Sequence, residues 1–281
     1  MYAKGMKLPE GKKCAAFITV NLSAEFFWIS LDKKALNMPK TLSLGQYGMT
    51  HGLPRLLSLL DEFHIKATFF TPGKTAEAYP ESLKEIAVRG HEVACHGYEY
   101  ENFSLLSYEE QKKRIEKAAD AIEKSCGRRP VGFRAPMGDL MLETLNIARE
   151  YGMKYSSDLF DDDRPYFMKV NDAGDEILQI PMQWANFDLP YFAFNYRPAF
   201  PAGQGRIANY GHVLSNWKDE FTGHYNHNLC YTLQLDPQTI GSPGRTALLR
   251  EFLEYMTAHE GVWFAAGSEL YDYCLENRGE E

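Results

Sequence analysis

Ala15-Ala16-Phe17-Ile18-Thr19-Val20 is an almost unbroken apolar run with no polar alternation, and it includes β-branched residues. Such a run predicts a strand buried on both faces. The period then changes. Leu53, Leu56, Leu57, Leu60 and Phe63 recur at helical spacing and predict a helix over 53–63. Residues 66–70 (Lys-Ala-Thr-Phe-Phe) return to a strand pattern, and 80–89 to a helix stopped by Gly90. Residues 92–95 predict a third strand. Ser107 and Glu110 have the spacing of a capping box and open a helix to about 125. Residues 132–134 predict a fourth strand, and 140–151 a helix ended by Gly152. Strands at 177–181, 229–235 and 262–265 and helices at 245–259 and 268–276 complete the pattern.

Strand and helix alternating this often predict an α/β fold built on a parallel sheet or barrel. The stretch 181–211 breaks the rhythm. It holds Pro190, Pro198, Pro201 and three glycines among many aromatics, and is expected to be an active-site cover or a subunit contact. With no internal repeat, the reading is one domain over 1–281 carrying this insertion, a length that suits a single (β/α) barrel.

Composition narrows the function. An apolar fraction of 44% and a charged fraction of 24% exclude wholesale disorder and a small disulfide scaffold. A net charge of -8 with no basic block argues against nucleic acid and anionic membrane as partners. No apolar stretch approaches the roughly 18–20 residues of a membrane span. The lysines of residues 1–13 precede no signal-like apolar segment, so a cytoplasmic protein with a small-molecule substrate is expected. The five cysteines are scattered without zinc-knuckle spacing and read as reduced thiols.

In a barrel of this kind chemistry collects where strands end. That selects Asn21 and Ser23 after the first strand, His96 after the third, Arg134 after the fourth and Asp236 after Leu235. His96 titrates near neutrality and suits general acid or base work. Glu25 lies two residues beyond Ser23, and would share its face if the strand continued. Trp28 and Tyr100 are candidates for an aromatic wall, and Trp184, Asn186 and Asp188 for lining the pocket from above. His91, ahead of its strand, reads as structural. Asp161, Asp162 and Asp163 read as a solvated loop or a partner for Arg164, and His224 and His227 as surface loop residues.

The motifs Ala67-Thr68-Phe69-Phe70, Gly90-His91-Glu92-Val93-Ala94-Cys95-His96-Gly97-Tyr98-Glu99 and Gly132-Phe133-Arg134-Ala135-Pro136, with Leu233-Gln234-Leu235-Asp236-Pro237 and Gly261-Val262-Trp263-Phe264-Ala265, occur in this order. In them the chain resembles the polysaccharide deacetylase (NodB homology) family over about residues 14–273, and most of all its intracellular branch of cyclic imide hydrolases, allantoinase-like enzymes and some peptidoglycan deacetylases. The resemblance implies a distorted TIM-like (β/α) barrel, hydrolysis of a non-peptide C–N bond and a homotetramer.

It also implies a divalent metal held by one aspartate and two histidines four apart, with an aspartate base and a histidine acid. Here the base position is Asn21, the metal aspartate is Ser23, the histidines are His96 and Tyr100, and the acid position is Asp236. An asparagine amide is not basic near neutrality, and one histidine does not make a zinc site. The expectation is therefore that no metal and no other cofactor is used, although His96, Glu25 and Asp236 could form a rearranged metal site if they converged.

These residues predict a hydrolase of a small amide, imide or ureide. His96 and Asp236 would activate water, either as base and acid or as an Asp–His pair, while Arg134 and backbone N–H groups would hold the oxyanion. The alternatives are a barrel that binds without turnover, and a metal-free lyase or isomerase that uses His96 to abstract a proton.

Overall fold

The computed structural model describes residues 6–195, 197–200 and 207–278. Among them nine strands form one curled sheet: β1 (Cys14–Asn21), β2 (Thr68–Thr71), β3 (Glu92–Cys95), β4 (Gly132–Phe133), β5 (Tyr155–Ser156), β6 (Tyr166–Lys169), β7 (Glu176–Gln179), β8 (Cys230–Leu235) and β9 (Val262–Phe264). The order is β6-β7-β5-β4-β3-β2-β1-β8, with β9 also on β1. All pairings are parallel except β6 with β7. One edge of β1 is occupied by β8 from Ala15 to Val20. The other is shared, its start pairing with β9 and its end with β2. That sharing is the distortion of the barrel.

Every residue of β1 is buried, and period-2 alternation divides them. Cys14, Ala16, Ile18 and Val20 pack outward against the helices, in the same core as Phe69, Cys95, Phe133 and Leu233. Ala15 and Phe17 face the barrel interior with Phe70, Ala94, Tyr155 and Leu178. The rings of Phe17, Phe70 and Tyr155 meet edge to face at 6.3–6.5 Å and fill its middle. Burying such a ring contributes about 1.5–3 kcal/mol. Tyr155 fits because Gly132 and Gly267 face it; a Cβ on either would fall 2.1–2.2 Å from its ring.

The barrel is completed between β8 and the segment that follows β7. Thr232 Oγ1 donates to Pro181 O at 2.7 Å, Phe187 bridges Gln234 in parallel, and Asp188 N–H donates to Gln234 O at 3.1 Å. So the aromatic stretch 181–211 begins as a barrel-closing segment. Of its later residues, 196 and 201–206 lie outside the described ones. The largest surprise is the helix Tyr210–Asn226. His224 is not a surface loop residue but sits buried on that helix, 3.8 Å from Asp163. Arg164 does pair with Asp162, at 3.1 Å. No helix among the described residues is long and apolar enough to cross a membrane.

Candidate active site

The interior faces of β1, β3, β4 and β8 turn polar at their C-terminal ends. On β1 the inward series Ala15, Phe17 continues as Thr19, Asn21. On β8, Cys230 continues as Thr232, Gln234 and then Asp236. On β3, Ala94 is followed in phase by His96, and Gly132 of β4 by Arg134. Parallel strands in register bring these polar ends to one level of the barrel. Asn21, Ser23, His96, Tyr100, Arg134 and Asp236 are all 4% exposed or less.

Arg134 is the hub. Its Nε donates to Ser157 O at 2.9 Å and Nη2 to Ser157 Oγ at 2.8 Å. Its Nη1 faces Thr19 Oγ1, Asn21 Oδ1 and Gln234 Oε1 at 3.0–3.3 Å. The guanidinium lies 4.0 Å above the Phe70 ring. Arg134 thus donates to Asn21, the residue that the resemblance puts at the base position. Burial draws the guanidinium down to about 10, opposed first by the nearby Asp158 carboxylate. An arginine whose Nε, Nη1 and Nη2 each meet a protein oxygen is placed to position its neighbours, a different use from the oxyanion holder that the sequence suggested.

His96 donates its Nδ1 proton to Arg134 O at 2.8 Å. A carbonyl can only accept, so the imidazole is the tautomer with a bare lone pair on Nε2. Nε2 is buried and has no partner among the described residues. Burial, aided by the Arg134 charge, lowers the ring to about 3 and keeps it neutral. The tautomer is therefore set by a backbone carbonyl, not by an Asp–His pair with Asp236. The Tyr100 ring stands edge-on to His96 at 5.2 Å. Its backbone has φ +67°, a left-handed conformation that costs an ordinary residue about 1 kcal/mol or more. Burial and the nearby Asp236 hold the phenol protonated.

Asp236 Oδ1 accepts from Gln238 Nε2 at 3.2 Å, and the same amide donates to Ser23 Oγ at 3.1 Å. Oδ2 is buried without a partner among the described residues. The backbone N–H of Asp236 donates to both oxygens of Asp188, 3.1 Å each. Burial and the Asp188 charge raise Asp236 well above the ordinary carboxyl range.

Two of the expected residues are elsewhere in their surroundings. β1 ends at Asn21, and Ala24 has φ 50°, so Glu25 does not continue the strand face. Its carboxylate accepts from Tyr79 Oη at 2.9 Å. Trp184 is 62% exposed, stacked on Phe160 at 5.1 Å, and does not roof a pocket. Trp28 does reach the aromatic wall through Phe27, which touches Trp28, Tyr100 and Phe200 at 4.6–5.5 Å. Thr19, Ser157, Gln234 and Gln238 were not foreseen. Thr19 and Gln234 lie two residues before Asn21 and Asp236, so strand phase alone could have found them.

The polysaccharide deacetylase family model matches residues 45–156. A crystal structure of a candidate polysaccharide deacetylase from Mycobacterium smegmatis is 33% identical, over 99% of this chain and 96% of that one, with a TM-score of 0.92.

The chain belongs to the polysaccharide deacetylase family.

A peptidoglycan deacetylase of Helicobacter pylori is 26% identical over 262 residues, 85% of this chain and 88% of that protein. The crystal structure of an allantoinase superposes with a TM-score of 0.81 at 23% identity, over 96% of this chain and 93% of that one, a likeness of fold. The family's divalent cation does not fit the donors here. Its three positions hold a serine hydroxyl engaged by Gln238, one imidazole and a phenol kept protonated by burial. Among the described residues no three His, Cys, Asp or Glu side chains converge to hold a metal. The rearranged set of His96, Glu25 and Asp236 is therefore not assembled.

Proposed function

We propose that this member of a C–N hydrolase family cleaves a small, uncharged amide, imide or ureide, and does so without a divalent metal. The observation that carries the reading is that two of the buried polar atoms without partners among the described residues, His96 Nε2 and Asp236 Oδ2, stand at the C-terminal edge of the barrel, beside the positions of the resemblance. The first is a lone pair and the second belongs to a carboxyl that burial keeps protonated. An acceptor and a donor, both neutral, complement a neutral substrate and need no charge to be desolvated. The near-complete burial of the site argues for a small molecule over a polymer.

In the reaction His96 Nε2 takes a proton from the attacking water as its oxygen bonds to the carbonyl carbon. The Tyr100 hydroxyl donates to the oxygen on which charge develops. Asp236 gives its proton to the nitrogen as the C–N bond breaks. Proton return from His96 to Asp236 restores the resting state. Arg134 fixes Asn21, Thr19 and Gln234, and its backbone carbonyl fixes the His96 tautomer. Trp28, Tyr100 and Phe27 wall the site.

A second reading, binding without turnover, is favoured by the His96 ring being held down at about 3, a weak base at rest. One experiment separates them. The purified protein is assayed against cyclic imides, ureides, N-acetylated sugars and peptidoglycan in 18O-labelled water, with chelator and with added zinc, nickel or manganese. Label in the product of a small substrate, insensitive to chelator, is expected. Turnover of peptidoglycan alone, dependent on added metal, overturns the proposal. Calorimetric binding without product supports the second reading, and product without label indicates a lyase or isomerase.

A further inference from the structure

Asp188 and Asp236 are buried acids joined by more than proximity. Both Asp188 oxygens accept the Asp236 backbone N–H, and Thr239 Oγ1 donates to Asp188 Oδ2. Among the described residues Asp236 receives one side-chain donor, the Gln238 amide, on Oδ1 and none on Oδ2. Two carboxylates in contact in a low-dielectric interior do not both ionise, and the proton settles on the one with fewer donors.

We propose that Asp188 is a positioning residue, whose carboxylate, favoured in its ionised form by Thr239 and the Asp236 N–H, obliges Asp236 to carry the pair's single proton and so to serve as donor.

The surroundings agree. The charged and titratable groups facing the pair are Arg134 and Tyr100 on the Asp236 side and Arg245 on the Asp188 side. Arg245 is anchored by donating to Thr239 O and Tyr210 Oη. Its charge favours an ionised Asp188, while Arg134 spends its donors on neutral oxygens and makes no hydrogen bond to Asp236. Burial raises Asp188 itself to about 7, and burial with the neighbouring Asp188 charge raises Asp236 well above the ordinary carboxyl range, so the pair's first proton belongs to Asp236. The segment that closes the barrel thus also delivers the acid partner: Asp188 N–H is on Gln234 O, and its side chain is on the next inward residue of the β8 edge.

The inference rests on Asp236 being the donor of the proposed reaction, but its test needs no substrate. Protein labelled with 13C at the aspartate carboxyl is titrated by NMR. One buried aspartate still protonated at pH 7 is expected, absent in Asp236→Asn. In Asp188→Asn its proton affinity falls about tenfold or more, since the like charge is gone. A titration of Asp188→Asn that superposes on the wild type overturns the pairing, as does a protonated signal that survives Asp236→Asn. If Asp188→Asn does not fold, Thr239→Val serves. Removing the hydroxyl donor should shift protonated signal onto Asp188, and an unchanged spectrum counts against the pair. A protein that turns over nothing can still show the pair, and an active one can lack it.

Discussion

Two histidines five residues apart bracket β3, both buried and both neutral, and they hold opposite tautomers. At the N-terminal end His91 Nδ1 accepts the Ala67 N–H at 3.2 Å, so its proton is on Nε2. At the C-terminal end His96 Nδ1 donates to Arg134 O, so its Nε2 is a bare lone pair. The carboxyls differ in the same sense. Glu92, beside His91, accepts from Thr68 Oγ1 at 3.1 Å and from Ser268 N–H at the start of the helix Gly267–Glu276 at 3.0 Å. Asp236, at the other end, receives one amide and faces another acid. His91 Nε2 and Glu92 Oε1 are also without partners among the described residues, so the difference lies in what the partnered atoms hold: at one end they bind β2 to the helix Gly267–Glu276, at the other they leave a bare imidazole lone pair and a carboxyl raised by burial and a second acid.

The largest expected effect tests that division. His96→Ala should lower turnover of a true substrate by about 10²–10⁴-fold, the usual worth of a positioned base. Its thermal midpoint should fall too, since a cavity opens and the Arg134 carbonyl is left unpaired in a fully buried place. His91→Ala should lower the midpoint in the same way, leaving the Ala67 N–H unpaired, but with the rate per folded molecule unchanged. Equal losses of rate in both variants would erase the distinction between the two ends.

Acid should act on both histidines alike. Each ring is depressed from an ordinary value near 6.5, His91 to about 4 and His96 to about 3. A depressed base is worth most above its unfolded pKa. Stability is therefore complete above pH 6.5 and falls as pH drops through the window toward 4 and 3, by up to about 1.4 kcal/mol per unit for each ring. Burial raises Asp236 and Glu92, whose penalty lies on the opposite side, growing as pH rises. Denaturant midpoints between pH 7 and 4 should decline steeply in the wild type and more gently in His91→Asn. A His91→Asn profile as steep as the wild type's would show that His91 is not buried neutral, whatever the raised acids contribute to both.

Glu92→Ala sharpens the comparison from the structural side. It strips the Ser268 N–H and the Thr68 hydroxyl of an acceptor in a buried place, a cost of about 1–3 kcal/mol. Chemical denaturation should register that loss while the specific rate stays put. By contrast Asp236→Asn should cost rate and little or no stability, since it removes an acid that is already protonated.

Much of this was written in the alternation of the chain. The run 15–20 is apolar because both faces of β1 are buried, and the strand ends it predicts do gather Asn21, His96, Arg134 and Asp236. The capping box at Ser107 and Glu110 forms, with Ser107 N–H on Glu110 Oε2 at 3.0 Å. The helix Tyr210–Asn226 was hidden because glycines, asparagines and histidines interrupt it. Its buried residues Val213, Trp217, Phe221 and His224 nevertheless keep helical spacing. β5 is two residues long and carries no periodicity to read. Glu25 failed for a backbone reason, since strand phase ends where Ala24 turns left-handed. Asp188 was visible only as a pocket-lining candidate. Its pairing with Asp236 depends on the barrel closing between β8 and the segment after β7, a contact 48 residues apart.

The smallest expected effect concerns Ser23, which stands where the family has a metal-binding aspartate. Its hydroxyl accepts from Gln238 Nε2, whose other acceptor is Asp236 Oδ1. Ser23→Ala removes one acceptor from a half-buried amide that keeps its second, so stability should change by less than about 1 kcal/mol. The rate should move by a few-fold at most, through the looser Gln238 that orients Asp236. Ser23→Asp is the sharper probe. It restores the family's carboxylate but leaves Tyr100 opposite it, and adds a third acid beside Asp188 and Asp236. The expected result is weaker folding near neutral pH, relieved as pH falls, and no activation by zinc or nickel. Metal-dependent turnover in Ser23→Asp would mean that one substitution separates this site from the metal chemistry of its relatives, and that Tyr100 and Asp236 are less committed to a metal-free reaction than their burial implies.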